Sequence, residues 1–314
     1  MPVKELNDVR PTSIAHLVGQ TSVIQQVSVA LDAAFADDKK FDSALLVGPP
    51  GLGKSAVARI IADEMAAGFH EVLGQSIASA ADLNALLLAA EDKDVIHIDE
   101  CHELLKPFQT ALYLAVDQRK ICLPSSGHGR IFHNLPLADF TLLLSTTDEY
   151  CLLQPLRDRM RLTLRFDFYS TDELCVLLRQ RSHALQWEVD EDVFPMVAQR
   201  ARGTPRLALR LLQSARRVSR AKGEITVTPE NVWQACQLEQ IDSLGLGPVE
   251  QQYISILHEG SSRLNVIASM LGLPTRTISQ VTEPFLLRTG LVAKDERGRR
   301  ALTAMGREHL SKSR

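Results

Sequence analysis

The string Gly48-Pro49-Pro50-Gly51-Leu52-Gly53-Lys54-Ser55 sets three glycines, a lysine and a hydroxyl at the spacing G-x-x-x-x-G-K-[ST]. Glycines lack Cβ atoms, so such a backbone can curl and turn its N–H groups onto an anion. Lys54 would bring a cation to the β- and γ-phosphates of a nucleoside triphosphate, and Ser55 a hydroxyl to Mg2+. The cradle continues into Ala56. A metal-side carboxylate is also needed, and Asp99-Glu100 supplies a pair after Val95-Ile96-His97-Ile98. Asp99 is assigned to the metal through water, and Glu100 as the base that polarises an attacking water. His97 reads as a packed strand residue. His102 could lie near the γ-phosphate or cap the next helix.

These groups need elements to hold them. Ala44-Leu45-Leu46-Val47 is a short apolar run that reads as a buried strand before the phosphate loop. The Ala-rich stretch after Ser55, with Val57, Ile61 and Met65 at helical spacing, predicts a helix whose N-terminus adds partial positive charge to the loop. Val95 to Ile98 predicts a second buried strand ending at the carboxylates, where open α/β sheets place their ligands. Phe140-Thr141-Leu142-Leu143-Leu144 predicts a third, ending in Ser145-Thr146-Thr147, whose hydroxyls could hold a water or sense the γ-phosphate. Pro155-Leu156-Arg157-Asp158-Arg159 carries two arginines. They could be a solvated ion-pair set, or fingers reaching a neighbouring subunit's nucleotide.

The pattern then turns helical. Ser170-Thr171-Asp172-Glu173 opens a helix with a capping-type start, and three more are predicted over residues 193–200, 205–221 and 228–240. The glycine-rich turn at 243–248 reads as a domain boundary. Beyond it, one helix should turn Tyr253 and Leu257 inward, and a second should use Leu264, Ile267 and Leu271. A third presents Arg276, Thr277, Ser279 and Gln280, and a β-hairpin spans Asp295-Glu296-Arg297-Gly298-Arg299. Three helices and a hairpin wing make a winged-helix domain, with Arg297, Arg299 and Arg300 placed to meet nucleic-acid phosphates. Protein contact is the alternative use of such a wing.

The whole composition sets limits. The 314 residues leave room for two or three domains, and 45% hydrophobic with 23% charged residues fits a globular chain. A net charge of -3 excludes a globally basic nucleic-acid binder, so any such contact must come from local patches. No apolar run approaches the ~20 residues of a membrane span, and Met1-Pro2-Val3-Lys4-Glu5 offers no apolar leader. Cys101, Cys122, Cys151, Cys175 and Cys236 are scattered, which suits reduced thiols in the cytoplasm rather than a disulfide frame or a zinc site.

The order of strand, phosphate loop, acidic strand end, Ser-Thr-Thr strand end and arginines matches the AAA+ ATPases. More closely, the chain resembles the RuvB family, motor ATPases that drive Holliday-junction branch migration. Arg10-Pro11 with Leu17-Val18-Gly19-Gln20, the phosphate loop, Asp99-Glu100-Cys101-His102, Ser145-Thr146-Thr147, Pro155-Leu156-Arg157-Asp158-Arg159 and Arg202-Gly203-Thr204-Pro205-Arg206 carry the likeness. It implies an α/β fold with three parts: an AAA+ ATPase domain with a parallel sheet (1–168), a small helical lid (169–243) and a C-terminal winged helix (244–314). It implies ATP and Mg2+ as cofactors, DNA as a partner and a ring of copies, hexameric in the family. Arg159 would be the finger acting in trans, Arg206 the lid arginine on the γ-phosphate and Thr146 the sensor. Arg10, Pro11, Leu17, Val18, Tyr169 and Pro205 would wall the adenine. A clamp-loader-type switch that binds DNA without translocating is the alternative function. The family docks a RuvA adaptor through an apolar hairpin tip. The corresponding tip, residues 125–129, is polar here, which leaves Leu123, Ile131 or Phe132 for that role. Asp148-Glu149 stand where the family carries a basic residue.

Overall fold

The computed structural model describes residues 10–124 and 132–312. They form two compact units that divide after Tyr169.

In the first unit the expected parallel sheet is present. Its strands are β1 (Ala44–Val47), β2 (Phe69–Leu73), β3 (Val95–Asp99), β6 (Thr141–Thr146) and β7 (Leu162–Arg165), in the order β2-β3-β6-β1-β7. All four pairings are parallel. Helices α1 (Thr21–Ala36), α2 (Lys54–Glu64), α3 (Ala80–Ala89), α4 (Lys106–Gln118) and the short α5 (Gln154–Arg157) connect them. Alternation along β1 sends Leu45 into one core and Ala44 and Leu46 into another, so apolar side chains cover both faces. The edge strands β2 and β7 carry His70, Glu71, Thr163 and Arg165 among half-exposed positions, and therefore lack the apolar run that marks the central three.

Strands β4 (Lys120–Pro124) and β5 (Phe132–Pro136) pair antiparallel from Lys120↔Pro136 to Pro124↔Phe132. This is the hairpin expected before β6. Its tip at residues 125–129, and Ile131, lie outside the described residues, as do the side chains of Leu123 and Phe132.

The second unit opens with α6 (Thr171–Ala184), which starts on a complete Ser170–Glu173 capping box. It continues through α7 (Val193–Arg200), α8 (Pro205–Ala221) and α9 (Pro229–Leu238). Then come α10 (Pro248–Glu259), α11 (Leu264–Leu271) and α12 (Thr275–Thr277), which runs through a π-helical turn (Ile278–Thr282) into α13 (Glu283–Arg288). Pro284 has no N–H for the regular i−4 bond, which accounts for the widened turn beside it. Strands β8 (Ser262–Arg263), β9 (Val292–Lys294) and β10 (Arg299–Leu302) make a small antiparallel sheet in the order β8-β10-β9, and α14 (Ala304–Lys312) follows. Tyr253, Leu257, Ile267, Ile278, Leu286 and Leu302 fill the winged-helix core.

The turn at 243–248 is pinned rather than loose. The Asp242 carboxylate accepts from the Leu244 and Leu246 amides at 2.9 and 2.8 Å, and lies 2.7 Å from His309 Nε2. Arg202 reaches across to the Gly245 carbonyl at 2.7 Å and Glu250 at 2.8 Å. Gly245, at φ 81°, sits so close to α7 that a Cβ would come 2.1 Å from the Arg200 carbonyl oxygen.

Candidate active site

Three neighbouring strands deliver the chemistry to one edge of the sheet. β1 ends at Val47 and enters the phosphate loop, β6 ends at Thr146, and β3 ends at Asp99. The register pairs Val47 with Thr146, and the Gly48 amide donates to the Thr146 carbonyl at 3.2 Å. The loop passes under β7's exit. The Phe166 amide donates to the Val47 carbonyl at 2.8 Å, and a Cβ on Gly48 would meet the Phe166 carbonyl oxygen at 2.6 Å. Gly53, at φ 102°, caps α2 in a conformation that side chains avoid. A cradle of this kind fits a polyphosphate, since its glycines, at positive φ, let the backbone curl with its amides turned inward.

Lys54 is the first residue of α2 and is 6% exposed. Its Nζ donates to the Gly48 and Pro49 carbonyls at 2.6 and 2.9 Å, so the cation is held over the loop that it closes. Ser55 Oγ donates to Asp99 Oδ2 at 2.9 Å. The two groups expected at the metal therefore already touch, and paired oxygens of this kind suit a hard divalent cation. Asp99 Oδ1 accepts from the Glu100 amide at 3.0 Å, which turns its carboxylate toward the loop.

Glu100 sits in the left-handed region at φ 49° and ψ 46°, a conformation of appreciable cost for a residue with a side chain. A Cβ on Gly74 would come 2.6 Å from the Glu100 carbonyl oxygen, so Gly74 makes room for this backbone. Glu100 Oε2 is buried and accepts no hydrogen bond among the described residues. His102 Nδ1 is 3.3 Å from it, but lies within hydrogen-bond geometry of Thr146 Oγ1 at 3.1 Å instead. A buried carboxylate oxygen left unsatisfied fits a group set to accept from a water molecule. Thr146, fully buried, also accepts from the Asp148 amide at 2.9 Å. His102 thus joins the end of β6 to the Glu100 turn. Asp148 itself caps the next turn, and Glu149 is bound bidentately by Arg165 at 2.9 and 3.0 Å.

His97 is fully buried, between Glu71 Oε1 at 3.1 Å and Ser145 Oγ at 2.7 Å. A carboxylate can only accept, so Nδ1 carries the proton toward Glu71. Burial pushes the His97 pKa below its ordinary value, against the pull of Asp99 and Glu71.

The residues expected to wall an adenine divide. Leu17 and Tyr169 pack against the core beneath the loop, and Tyr169 Oη donates to the Leu52 carbonyl at 3.3 Å. Gln20 ties the N-terminal stretch to Asp167 through bonds of 2.6 and 3.1 Å. Pro11 and Val18 are half-buried, and Arg10 is exposed. Pro205 and Arg206 belong to the second unit, where they open α8. Pro205 is buried and Arg206 exposed, a cation in a helix first turn that an anion would favour.

Arg159 is not a free arginine. Asp117, near the end of α4, holds it bidentately at 3.0 and 2.6 Å. That hydrogen bond raises the Arg159 pKa and lowers that of Asp117. Arg157 bonds Gln154 and lies over the Tyr150 ring at 5.4 Å. Arg159 is thus ion-paired, as one of the two sequence readings has it, and is still half-exposed. Gln109, 1% exposed, donates to the Leu104 carbonyl at 2.9 Å and accepts from the Leu153 amide at 2.8 Å, linking the Glu100 turn to α5. Neither Asp117 nor Gln109 was found by sequence reasoning, because both partners lie over 40 residues from the arginine segment's own pattern.

The winged-helix arginines need one correction. Arg300 is 8% exposed, and its guanidinium bonds both Glu283 oxygens, at 2.6 and 3.0 Å. Glu283 also accepts from Tyr253 Oη at 2.7 Å. Arg300 is therefore a core residue and not a phosphate contact. Alternation along β10 turns it inward, a distinction that a run of basic residues in the sequence hides. Arg297 and Arg299 are exposed.

A phosphate loop leaving a central parallel strand, with an Asp-Glu strand end two strands away in the same sheet and a helical unit following in the chain, defines a P-loop nucleotide-binding protein of the AAA+ class. Three family models match in sequence order: the Holliday junction DNA helicase RuvB P-loop domain over residues 9–166, the RuvB AAA lid domain over 169–242, and the RuvB C-terminal winged helix domain over 243–311. The chain belongs to the RuvB family. The Holliday junction branch migration complex subunit RuvB of Kosmotoga olearia is 34% identical over 97% of this chain and 90% of its own length. That of Koribacter versatilis is 35% identical over 92% and 82%. The Thermotoga maritima RuvB Holliday junction branch migration motor is 33% identical, with a TM-score of 0.84 over 96% of this chain and 98% of its own.

Proposed function

We infer that this chain is an ATP-driven motor that moves branched duplex DNA, working in recombination and repair from the cytoplasm. The carrying observation is the meeting of Lys54, Ser55, Asp99, Glu100 and Thr146 on three adjacent strand ends, in a chain that also carries a winged helix. Its three functional parts are 1–168 (ATPase), 169–243 (lid) and 244–314 (DNA contact). Bound ATP with Mg2+ would supply the reactive γ-phosphate and neutralise its charge. Lys54 and the glycine loop hold the phosphates, Ser55 and Asp99 the cation, and Leu17, Tyr169 and Pro205 the base. Glu100 takes the proton of the attacking water, with Thr146 and His102 fixing its setting. Arg206 acts in cis, and Arg159 acts on a neighbour's nucleotide, which requires a ring of copies, six by family analogy. Support for a RuvA-like adaptor rests on the β4–β5 hairpin alone. The winged helix, in place of a helical collar, favours this reading over a clamp-loader switch. ATP turnover without DNA, with linear duplex and with a four-way junction tests it. The junction should raise turnover most, and equal rates in all three would overturn the motor reading.

A further inference from the structure

We propose that Arg263 and Arg299 together form a phosphodiester-binding pair on the edge of the wing's sheet. The register sets the two residues directly opposite each other on the antiparallel strands β8 and β10. Both are exposed, and neither forms an ion pair among the described residues. Opposite residues on an antiparallel pair point to the same side with Cβ atoms about 5 Å apart, and like charges placed so repel. Arg263 also precedes the first residue of α11, whose dipole adds to the cost. Asp295 closes the turn, its Oδ1 accepting from the Arg299 amide at 2.7 Å, Glu296 is an exposed turn residue, and among the described residues neither acid forms an ion pair with either arginine.

The neighbouring basic residue shows the contrast. Arg300, one step along β10, faces inward and is fully matched by Glu283. The fold therefore satisfies one arginine of the strand and leaves its neighbour facing another arginine. An external anion offsets that repulsion, and two guanidinium forks side by side suit the oxygens of a phosphodiester. Arg297, in the turn two residues before Arg299, is exposed as well, whereas Lys294 lies opposite Arg300 and so on the other face of the strand. The ligand is the backbone of duplex DNA, read without regard to sequence. Arg263 comes from outside the wing, 36 positions before Arg299, and no pattern in the basic hairpin points to it.

The inference rests on the DNA reading of the winged helix, and the test separates the two. Affinity of the full chain for linear duplex is measured across a salt series for wild type, Arg263→Gln and Arg263→Lys. Loss of one phosphate contact should reduce the slope of log affinity against log salt by about 0.9 for the Gln variant, while the Lys variant keeps the wild-type slope. A Gln line that superimposes on wild type, or a Lys line that falls as far as Gln, overturns the pair. Wild type without salt-dependent duplex binding would instead overturn the DNA reading itself.

Discussion

Glu100 carries the sharpest expectation among single residues. Its Oε2 is buried with no hydrogen-bond partner among the described residues, and its backbone is held in a left-handed turn. As the proposed base, Glu100→Gln should keep ATP affinity close to wild type while turnover falls by about 10²–10⁴-fold. Calorimetric binding paired with a steady-state phosphate assay measures both, and wild-type turnover would move the base elsewhere, first to His102. Arg159 tests a different geometry. Arg159→Ala should bind ATP and lose about 10³–10⁵ in rate. Mixing it with Lys54→Ala subunits should restore turnover, because some interfaces then join an intact loop to an intact finger. Inactivity at every mixing ratio would show that Arg159 does not act in trans. The Asp117 pairing holds this guanidinium at the surface of its own subunit, at a residue no local motif marks. The loop residues and the Asp-Glu pair were legible because their spacing is itself the chemistry. Arg300 was misread because a run of basic residues does not say which face each one takes.

At the level of elements, the three central strands were legible as apolar runs, since both faces of a parallel sheet are buried. β2 and β7 were not, because an edge strand keeps polar residues on its open side. Several helices of the second unit were read almost to the residue: α7 and α8 follow amphipathic periods, and α8 starts at a proline, whereas α14 and the π-helical break before α13 were not read. β8 was missed, since two residues carry no period. His97 shows what an element can bury. Its folded pKa lies below its ordinary value, so the unfolded chain binds the proton more readily. Its neutral form contributes stability above the unfolded pKa of about 6.5, and that stability is lost as pH falls toward the folded value. Melting temperature should therefore drop across this window in wild type, and His97→Asn should flatten the drop. Parallel pH profiles for the two proteins would show that His97 does not drive it.

For the whole molecule, a near-neutral chain with a net charge of -3 has no diffuse attraction for DNA. Its affinity must reside in local features such as the exposed arginines of the wing, while the energy comes from the phosphate loop of the other unit. Composition alone could exclude a globally basic binder, but it could not show how the lid and winged helix fold as one unit through Arg202, Asp242 and His309. Those contacts join residues 40 or more positions apart, beyond the reach of any period. The central claim is that hydrolysis at the first unit moves branched duplex DNA. Exchange of labelled arms in a four-way junction, followed with ATP for wild type and for Glu100→Gln, tests it most directly. The account predicts arm exchange that proceeds with wild type and stalls with Glu100→Gln although the variant still binds ATP and junction. Wild type that hydrolyses ATP on the junction without exchanging its arms, or Glu100→Gln that exchanges them as fast, would contradict it.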